Sequence, residues 1–410
     1  MTDRPRNNAQ GASTRTDSRL ADLARQVAAL AASPEHQRRR RLWAEAMELR
    51  SAVPPVNFYM YRHVWAKELA GDLLRHHEGL AAEIEGQLVF QLWRAGHVPD
   101  DMPAEGFVAL APVRPVRQRP FPWGLEMLSR RSGTPGSYKP IPPIRTEDDL
   151  ERVTLPAYEE DAPATSLLLE QARELIGDAL PVAVAANELH WGPFEHAVRL
   201  RGMDNLLYDV YDRPEFVHRL MDRITTGMVG YHRQREAAGR VCTLLGIGHV
   251  PPGEPAGGHA DRLRGCWAYC HAQSSASFSP RMYAEFVHPY NCRIAEMVGR
   301  VYYHGCEDLS GKAGIIKDLP NLRLFHVSPW TPPAPVLAEM GDAVAYEVHS
   351  HPTKVLFGED REVREELDCR QKAMAGVPHT LTLADVETFA GRFDRILRWI
   401  ETARQAAATD

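Results

Sequence analysis

Short apolar runs of β type alternate with helical segments along most of the chain, and this alternation is the strongest constraint on its fold. One helical segment opens at Pro214, behind Asp212, and ends at Gly239, with its apolar residues on one face. Eight strand–helix units predict an α/β protein, a (β/α)₈ TIM barrel rather than a doubly wound sheet. The candidate strands are Val53–Tyr61, Val182–Asn187, Val241–Gly246, Gly265–Cys270, Arg300–Gly305, Leu322–Val327, Ala343–His349 and His379–Ala384.

The length of 410 residues allows several average domains or one enlarged barrel, and the strand count favours one barrel over residues 51–405. Residues 1–18 are polar without apolar periodicity and are predicted to be a disordered tail. Residues 19–50 are predicted to form an N-terminal helical arm. Residues 98–164, rich in Pro and Arg, are predicted to be an insertion over one end of the barrel. The loop-like stretch 246–258 is a candidate lid or substrate wall.

Composition excludes several classes of protein. The chain has 48 Lys and Arg against 54 Asp and Glu, a balance of −6 that argues against nucleic-acid binding. The basic run Arg38–Arg41 is better explained as a solvated helix face than as an anion site. No apolar run is long enough to cross a bilayer, so no membrane association is expected. Six cysteines without a tight framework indicate a reducing compartment, and a cytoplasmic enzyme is expected.

Polar residues collect where the candidate strands end, which is where barrel enzymes carry their chemistry. Asn187 and His190 precede Gly192-Pro193, a predicted helix start suited to binding an anionic group. The polar residues at or just after strand ends are Asn187, Glu188, His190, Cys270, His271, Gln273, His304, Cys306, Glu307, Asp308, His326, Ser328, Glu347, His349, His351, Asp385, Glu387 and Thr388.

The sharpest motif is His304-Gly305-Cys306. A His and a Cys two residues apart at a strand end can point to one side, and both are good zinc ligands. The alternative is a hydrogen-bonded histidine beside a buried, unreactive cysteine. A catalytic zinc site needs a third protein ligand. The candidates for it are His349, His351, Cys270, His271 and Asp385.

Two neighbouring features leave their roles open. Glu307-Asp308 could serve as acid or base, anchor an Arg, or be a solvated pair. His349 and His351 face the same way on a strand, because side chains alternate with a period of two. They could be metal ligands or proton donors, or ordinary hydrogen-bonded histidines.

Several segments resemble the uroporphyrinogen decarboxylase superfamily. They are NELHWGPFEHAVRLRGMDNLLYDVYDRPEFVHRLMDRIT, FSPRMYAEFVHPYNCRIAE, YYHGCEDLSG and VHSHPTKVLFGEDREVREEL, in the family's order and spacing. The resemblance runs from about Val53 to Arg404 and implies the barrel fold. It says less about activity, because the superfamily divides by chemistry.

The resemblance implies one of two branches. The decarboxylases grip porphyrinogen carboxylates with a motif of two arginines, and the matching stretch PPVNFYMYRHVWAKEL keeps only Arg62. The methyltransferases act with corrinoids or methylated corrinoid proteins and hold zinc through His-x-Cys and a distant Cys. His304 and Cys306 match that motif, while the place of the distant Cys reads LTLADVETF, where Asp385 or Glu387 could substitute.

The sequence therefore predicts a metal-assisted methyl (one-carbon) transferase linked to a corrinoid or methylcorrinoid protein and acting on a small molecule. Zinc would be held by His304, Cys306 and Asp385 or His349. Glu307, His349 and Asn187 would be catalytic, and Arg62, His190 and His326 would bind substrate. One alternative is a metal-free decarboxylase or lyase on a non-porphyrin acid, with His304 and His349 as general acids. Another is a degenerate barrel that binds a partner protein.

Overall fold

The computed structural model describes residues 17–131, 138–184, 186, 189, 192–243, 248–251, 253 and 258–408. The predicted site residues Asn187 and His190, and most of the predicted tail, lie outside this part of the chain. The strands are β1 (Val56–Phe58), β2 (Val108–Leu110), β3 (Leu128–Arg131), β4 (Tyr138–Ile141), β5 (Val182–Val184), β6 (Trp267–His271), β7 (Arg300–His304), β8 (Leu322–Val327), β9 (Ala345–His349) and β10 (His379–Leu383).

Helices cover the connections between these strands. Many open with proline in the first turn, where its missing N–H costs nothing. The helices are α1 (Ser18–Ala32), α2 (Pro34–Met47), α3 (Arg62–Glu68), α4 (Gly79–His97), α5 (Ala162–Ile176), α6 (Pro193–Arg201), α7 (Met203–Asp212), α8 (Pro214–Ala237), α9 (Pro280–Phe286), α10 (His288–Ala295), α11 (Ala313–Ile316), α12 (Pro333–Met340), α13 (Pro352–Phe357), α14 (Asp360–Ala373) and α15 (Phe393–Ala407). None of these described helices is long and apolar enough to cross a membrane.

The architecture is α/β, with a central sheet of six parallel strands in the order β1-β10-β9-β8-β7-β6. Two further strands, β2 and β5, pair in parallel with each other, and β3 and β4 form an antiparallel hairpin. Seven of the eight predicted strand segments contain a strand of the two parallel sheets. The ladders of the described residues do not join these two sheets, so the described part of the chain shows a parallel sheet rather than a closed barrel.

Two strand predictions need correction. The described part of the predicted strand Val241–Gly246, residues 241–243, is not a strand; the Thr243 hydroxyl instead donates to the carbonyl of Ala260. Conversely, β2 lies inside the range 98–164, which was predicted as an insertion. It consists of only three residues, so the surrounding Pro-rich sequence hides it, and its pairing with β5 spans more than seventy residues.

β1 forms one edge of the six-stranded sheet, and carboxylates rather than another strand border its outer side. The Asp101 carboxylate accepts the backbone N–H of Val56 at 2.9 Å, and the Asp100 carboxylate accepts that of Phe58 at 2.9 Å. Arg94 pairs with Asp100, and Arg404 with Asp101 at 2.8 Å. Two aspartates thus satisfy the N–H groups of β1 that face away from β10.

The two faces of the sheet differ in character because side chains alternate along each strand. On one face Tyr303, Phe325 and Tyr346 join the main apolar core with the surrounding helices. On the other face Tyr302, Leu324 and Ala345 pack against Trp43 and Met47 of α2 at the amino ends of the strands. Further along the same face the side chains are polar, and we call this part of the sheet the polar face. Its residues are His304, His326, Glu347 and His349.

Candidate functional site

The polar face is a buried cluster of histidines around one carboxylate. Strand register brings the side chains together: His271 of β6 is the neighbour of His304, and His326 is the neighbour of Glu347. Glu347 and His326 are 0% exposed, and His349 is 2% exposed. Buried charged and polar groups are costly unless they are paired or bind a ligand, so such a cluster indicates function.

Glu347 is the centre of the cluster. Its Oε2 lies 2.9 Å from Nε2 of His349 and 3.2 Å from Nδ1 of His249, and it also accepts the hydroxyl of Tyr302. The carbonyl of His249 accepts the side-chain amide of Asn57 at 2.9 Å, which fixes that residue against β1. One donor atom each from His249, Glu347 and His349 lies within 4.8 Å of the others, close enough to hold one metal ion.

The electrostatics of this trio favour a charged carboxylate. Burial opposes ionisation of Glu347, but the charges and hydrogen bonds of His249 and His349 outweigh it and hold its pKa well below the usual range. Burial likewise opposes protonation of His249, yet the charge of Glu347 and its hydrogen bond raise the pKa of that histidine. Glu347 Oε1 has no hydrogen-bond partner among the described residues. A divalent cation bound here would balance the negative charge of Glu347 and would give its Oε1 atom the partner that it lacks.

His304 is held by ring stacking. Its ring lies 4.0 Å from that of His326 at an angle of 9°, and 5.2 Å from that of Tyr269 at 29°. Within the described residues neither ring nitrogen of His304 has a hydrogen-bond partner. Burial, followed by the charges of His249 and His349, holds the pKa of His304 well below its usual range. A lowered pKa favours the neutral imidazole, which is the form that binds metal ions.

Three further predicted site residues, Cys306, Glu307 and Asp385, lie after β7 and β10. Cys306 is half-buried, and burial, with the charges of Asp385 and Glu307, raises the pKa of its thiol to about 12. Asp385 is exposed and accepts the hydroxyl of Tyr61 at 3.1 Å. The carboxylate of Glu307 packs against Gly305. A Cβ atom added at Gly305 would lie 2.5 Å from Oε2 of Glu307. That oxygen is buried and has no hydrogen-bond partner among the described residues.

The structure thus brings together some of the residues of the predicted site. His304, His326 and His349 share the polar face, while Arg62 lies elsewhere, on the wall of a cavity near His249. The ligand set His304, Cys306 and Asp385 stays a prediction. Sequence reasoning missed His249 as a site residue. The only signal was its position in the loop 246–258, which was expected to cover the barrel end.

A cavity of about 350 Å³ lies near His249, on the other side of the ring of Tyr59. It is bounded by α4, by the residues that follow β1 and by the segment ahead of β2. Two tyrosines of its wall reach the site: the ring of Tyr59 lies 4.7 Å from that of His249, and Tyr61 bonds to Asp385. A molecule in this cavity would be separated from His249 by the ring of Tyr59.

Fold and site together define an α/β protein with a parallel sheet and a buried His–Glu–His centre. No family model matches the sequence, and no curated protein matches it. Among solved structures it is similar to a methyltransferase from Methanosarcina mazei, with a TM-score of 0.52 and 14% identity over 89% of this chain and 97% of that chain. At this identity the likeness shows a shared fold.

Proposed function

We propose that the protein is a metal-assisted methyltransferase of the uroporphyrinogen decarboxylase-like type that works with a corrinoid. The observation that carries the proposal is the buried trio of His249, Glu347 and His349, whose donor atoms converge within 4.8 Å. The likeness of the fold to a methyltransferase supports it, as does the sequence resemblance. In this proposal the eight parallel strands complete a barrel, with the trio inside it at the carboxyl ends.

The donor set suits zinc. Two imidazoles and one carboxylate form a set found in catalytic zinc sites, which keep one position open for water or substrate. Two further histidines are candidates for an additional ligand. The ring of His326 lies 4.2 Å from that of His349, and the ring of His304 lies 5.9 Å from that of His249. Both have a buried ring nitrogen without a hydrogen-bond partner among the described residues. Cys306 and Asp385 would complete the alternative set with His304 that the His-x-Cys motif predicts.

When bound, the metal would lower the pKa of a substrate thiol and so favour the thiolate. Residues of the chain would accept the proton and bind the substrate. The thiol proton would pass to Glu307, whose pKa burial raises. The thiolate would form a C–S bond with the methyl group of a methylated corrinoid, and the corrinoid would keep the electron pair of the broken bond. Asn187, His190 and His326 would line the substrate.

Metal analysis of protein purified without chelator tests the proposal. We expect about one zinc per chain in the native protein, and loss of most of it in His349→Ala and in His249→Ala. The exposed His77→Ala is the matched control and should keep its metal. His304→Ala and Cys306→Ala would show which of the two ligand sets operates. Methyl transfer from methylcobalamin to a simple thiol, followed by the loss of absorbance of methylcobalamin, should fall with the metal.

A protein that folds normally and contains no stoichiometric metal after supplementation with zinc would overturn the proposal. The remaining enzymatic alternative would then be the metal-free decarboxylase or lyase. That reaction needs a general acid to protonate the carbanion left by CO₂ loss, and the lowered pKa of His304 disfavours its protonated form. His349 would be the residue to test.

A further inference from the structure

The cavity near His249 is lined by residues other than those of the His–Glu–His centre. The residues that matter are Tyr59, Tyr61, Arg62, Phe90, Gln91 and Glu105. Most cavities that bind small molecules combine apolar and aromatic surface with a few polar groups that converge on the ligand. The lining of this cavity combines aromatic rings with carboxylate, amide and guanidinium groups.

Glu105 is an unpaired carboxylate inside the cavity. Its side chain is exposed to the cavity, and no residue of the described chain forms a hydrogen bond or ion pair with it. The surrounding protein raises the pKa of this carboxyl by desolvation, while the charges of Arg62, Arg94 and Arg40 act in the opposite direction. Among the described residues, Glu105 therefore has no cation in contact with it.

Gln91 supplies a second unsatisfied acceptor. The residue is only 8% exposed, and its Oε1 is buried without a hydrogen-bond partner among the described residues. A buried acceptor is seldom left unpaired, because its desolvation is then uncompensated. The Oε1 atom of Gln91 is closed off from the cavity, so a ligand that donates N–H groups would be received by the exposed carboxylate of Glu105.

The arginines of the wall are not equivalent. Arg94 is bound to Asp100, and Arg39 is bound to Glu35 at 2.9 Å. Arg62, the first residue of α3, forms no hydrogen bond or ion pair within the described part of the chain. Arg62 is therefore the guanidinium left to receive an anionic group, and guanidinium is well suited to carboxylates.

We propose that this cavity binds a small zwitterion, with its ammonium group at Glu105 and its carboxylate at Arg62. The rings of Tyr59 and Phe90 add a favourable surface for the cation. Tyr59 in turn contacts His249, so one aromatic ring would stand between the ligand and the His–Glu–His centre. That this zwitterion is the substrate of methyl transfer rests on the proposed function, whereas its binding does not.

Titration calorimetry with four related probes tests the binding. L-Norvaline and 5-aminopentanoate are isomeric zwitterions that differ in charge spacing, pentanoate lacks the ammonium group, and pentylamine lacks the carboxylate. We expect one zwitterion to bind about tenfold more tightly than either singly charged probe, because each charge-assisted hydrogen bond contributes about that factor. Glu105→Gln should remove the advantage over pentanoate, and Arg62→Met the advantage over pentylamine.

Glu170→Gln, an exposed carboxylate on α5, controls for the change in net charge and should bind as the native protein does. Equal affinity for pentanoate and the zwitterions would overturn the proposal, as would a failure of all four probes to bind. Unchanged zwitterion binding in Glu105→Gln would overturn it as well. The titrations are repeated with His349→Ala, since binding that survives loss of the metal separates this inference from the proposed function.

Discussion

At the scale of single residues, the site depends on how Glu347 is held. Three groups converge on one of its oxygens: the rings of His249 and His349 and the hydroxyl of Tyr302. Tyr302 is itself completely buried beneath the cluster. Groups that orient metal ligands in this way affect metal affinity even though they do not touch the ion.

Tyr302→Phe should therefore weaken zinc binding roughly 10- to 100-fold, as the loss of a hydrogen bond to a metal ligand commonly does. Competition with a chromophoric chelator measures the affinity. Tyr303→Phe is the matched control. Tyr303 is the next residue on β7, faces the other way and accepts the hydroxyl of Tyr283 at 2.8 Å, so its loss should leave zinc affinity unchanged. Equal effects of the two variants would show that Tyr302 acts only through stability.

The site was only partly predictable from sequence, for a physical reason. Residues at strand ends such as His304 and His349 are predictable, because parallel strands bring their carboxyl ends to one edge. His249 lies in a loop and meets Glu347 across 98 positions of the sequence. No local periodicity reports such a contact. That Arg62 and Glu105 form no hydrogen bonds with the described residues is likewise visible only in three dimensions.

At the scale of elements, β1 is held in place by side chains on one side and by β10 on the other. Asp101 is the more connected of the two aspartates. Its backbone N–H donates to the carbonyl of Val56 at 2.8 Å, its own carbonyl accepts the indole N–H of Trp43 at 3.0 Å, and its carboxylate pairs with Arg404. It therefore joins β1, α2 and α15.

Asp101→Ala should destabilise the fold by about 2–4 kcal/mol, because it leaves a buried backbone N–H and a guanidinium without their acceptor. Chemical unfolding measures this change in the free energy of unfolding. Asp178→Ala removes an exposed carboxylate and should have no measurable effect. A negligible effect of Asp101→Ala would mean that water replaces the carboxylate at the edge of β1.

At the scale of the whole molecule, the N-terminal helices are part of the fold. The range 19–50, predicted as a helical arm, holds most of α1 and all of α2, and α1 packs against α4 and α5 in an apolar cluster of its own. Glu85 of α4 is completely buried at this junction, and its carboxylate accepts Arg19 at 2.7 Å and the backbone N–H groups of Arg75 and His76.

Glu85 should make the stability of this junction dependent on pH. Burial opposes its ionisation, but the hydrogen bonds from His76, Arg19 and Arg75 lower its pKa to about 2. A carboxyl whose pKa is lowered by folding stabilises the protein above its unfolded pKa, and this contribution is lost as the pH falls toward the folded value. Glu85→Gln should cost about 3 kcal/mol at pH 7 and about half as much at pH 3.

Urea unfolding of the native protein and of Glu85→Gln at several pH values measures this difference. Glu83→Gln, on the same helix but exposed, serves as the control and should follow the native protein throughout. A difference between Glu85→Gln and the native protein that stays constant down to pH 3 would contradict an ionised Glu85.

The overall architecture was more predictable from sequence than the short strand β2 and the contacts at the edge of β1. The apolar runs that became β6 to β10 are long enough to be recognised in sequence, and a parallel sheet follows from the helices between them. β2 escaped prediction because three residues carry almost no periodicity. The way in which β1 ends the sheet depends on two adjacent aspartates more than forty residues away.

Those two aspartates also bear on how one copy of the chain meets another. A strand at the margin of a sheet with free N–H groups is a template on which a strand from a second molecule can add, and this is a common start of aggregation. At β1 the N–H groups of Val56 and Phe58 are already taken by carboxylates that belong to the same chain. An incoming strand would have to displace two ion-paired side chains, so growth of the sheet between molecules is blocked at this margin.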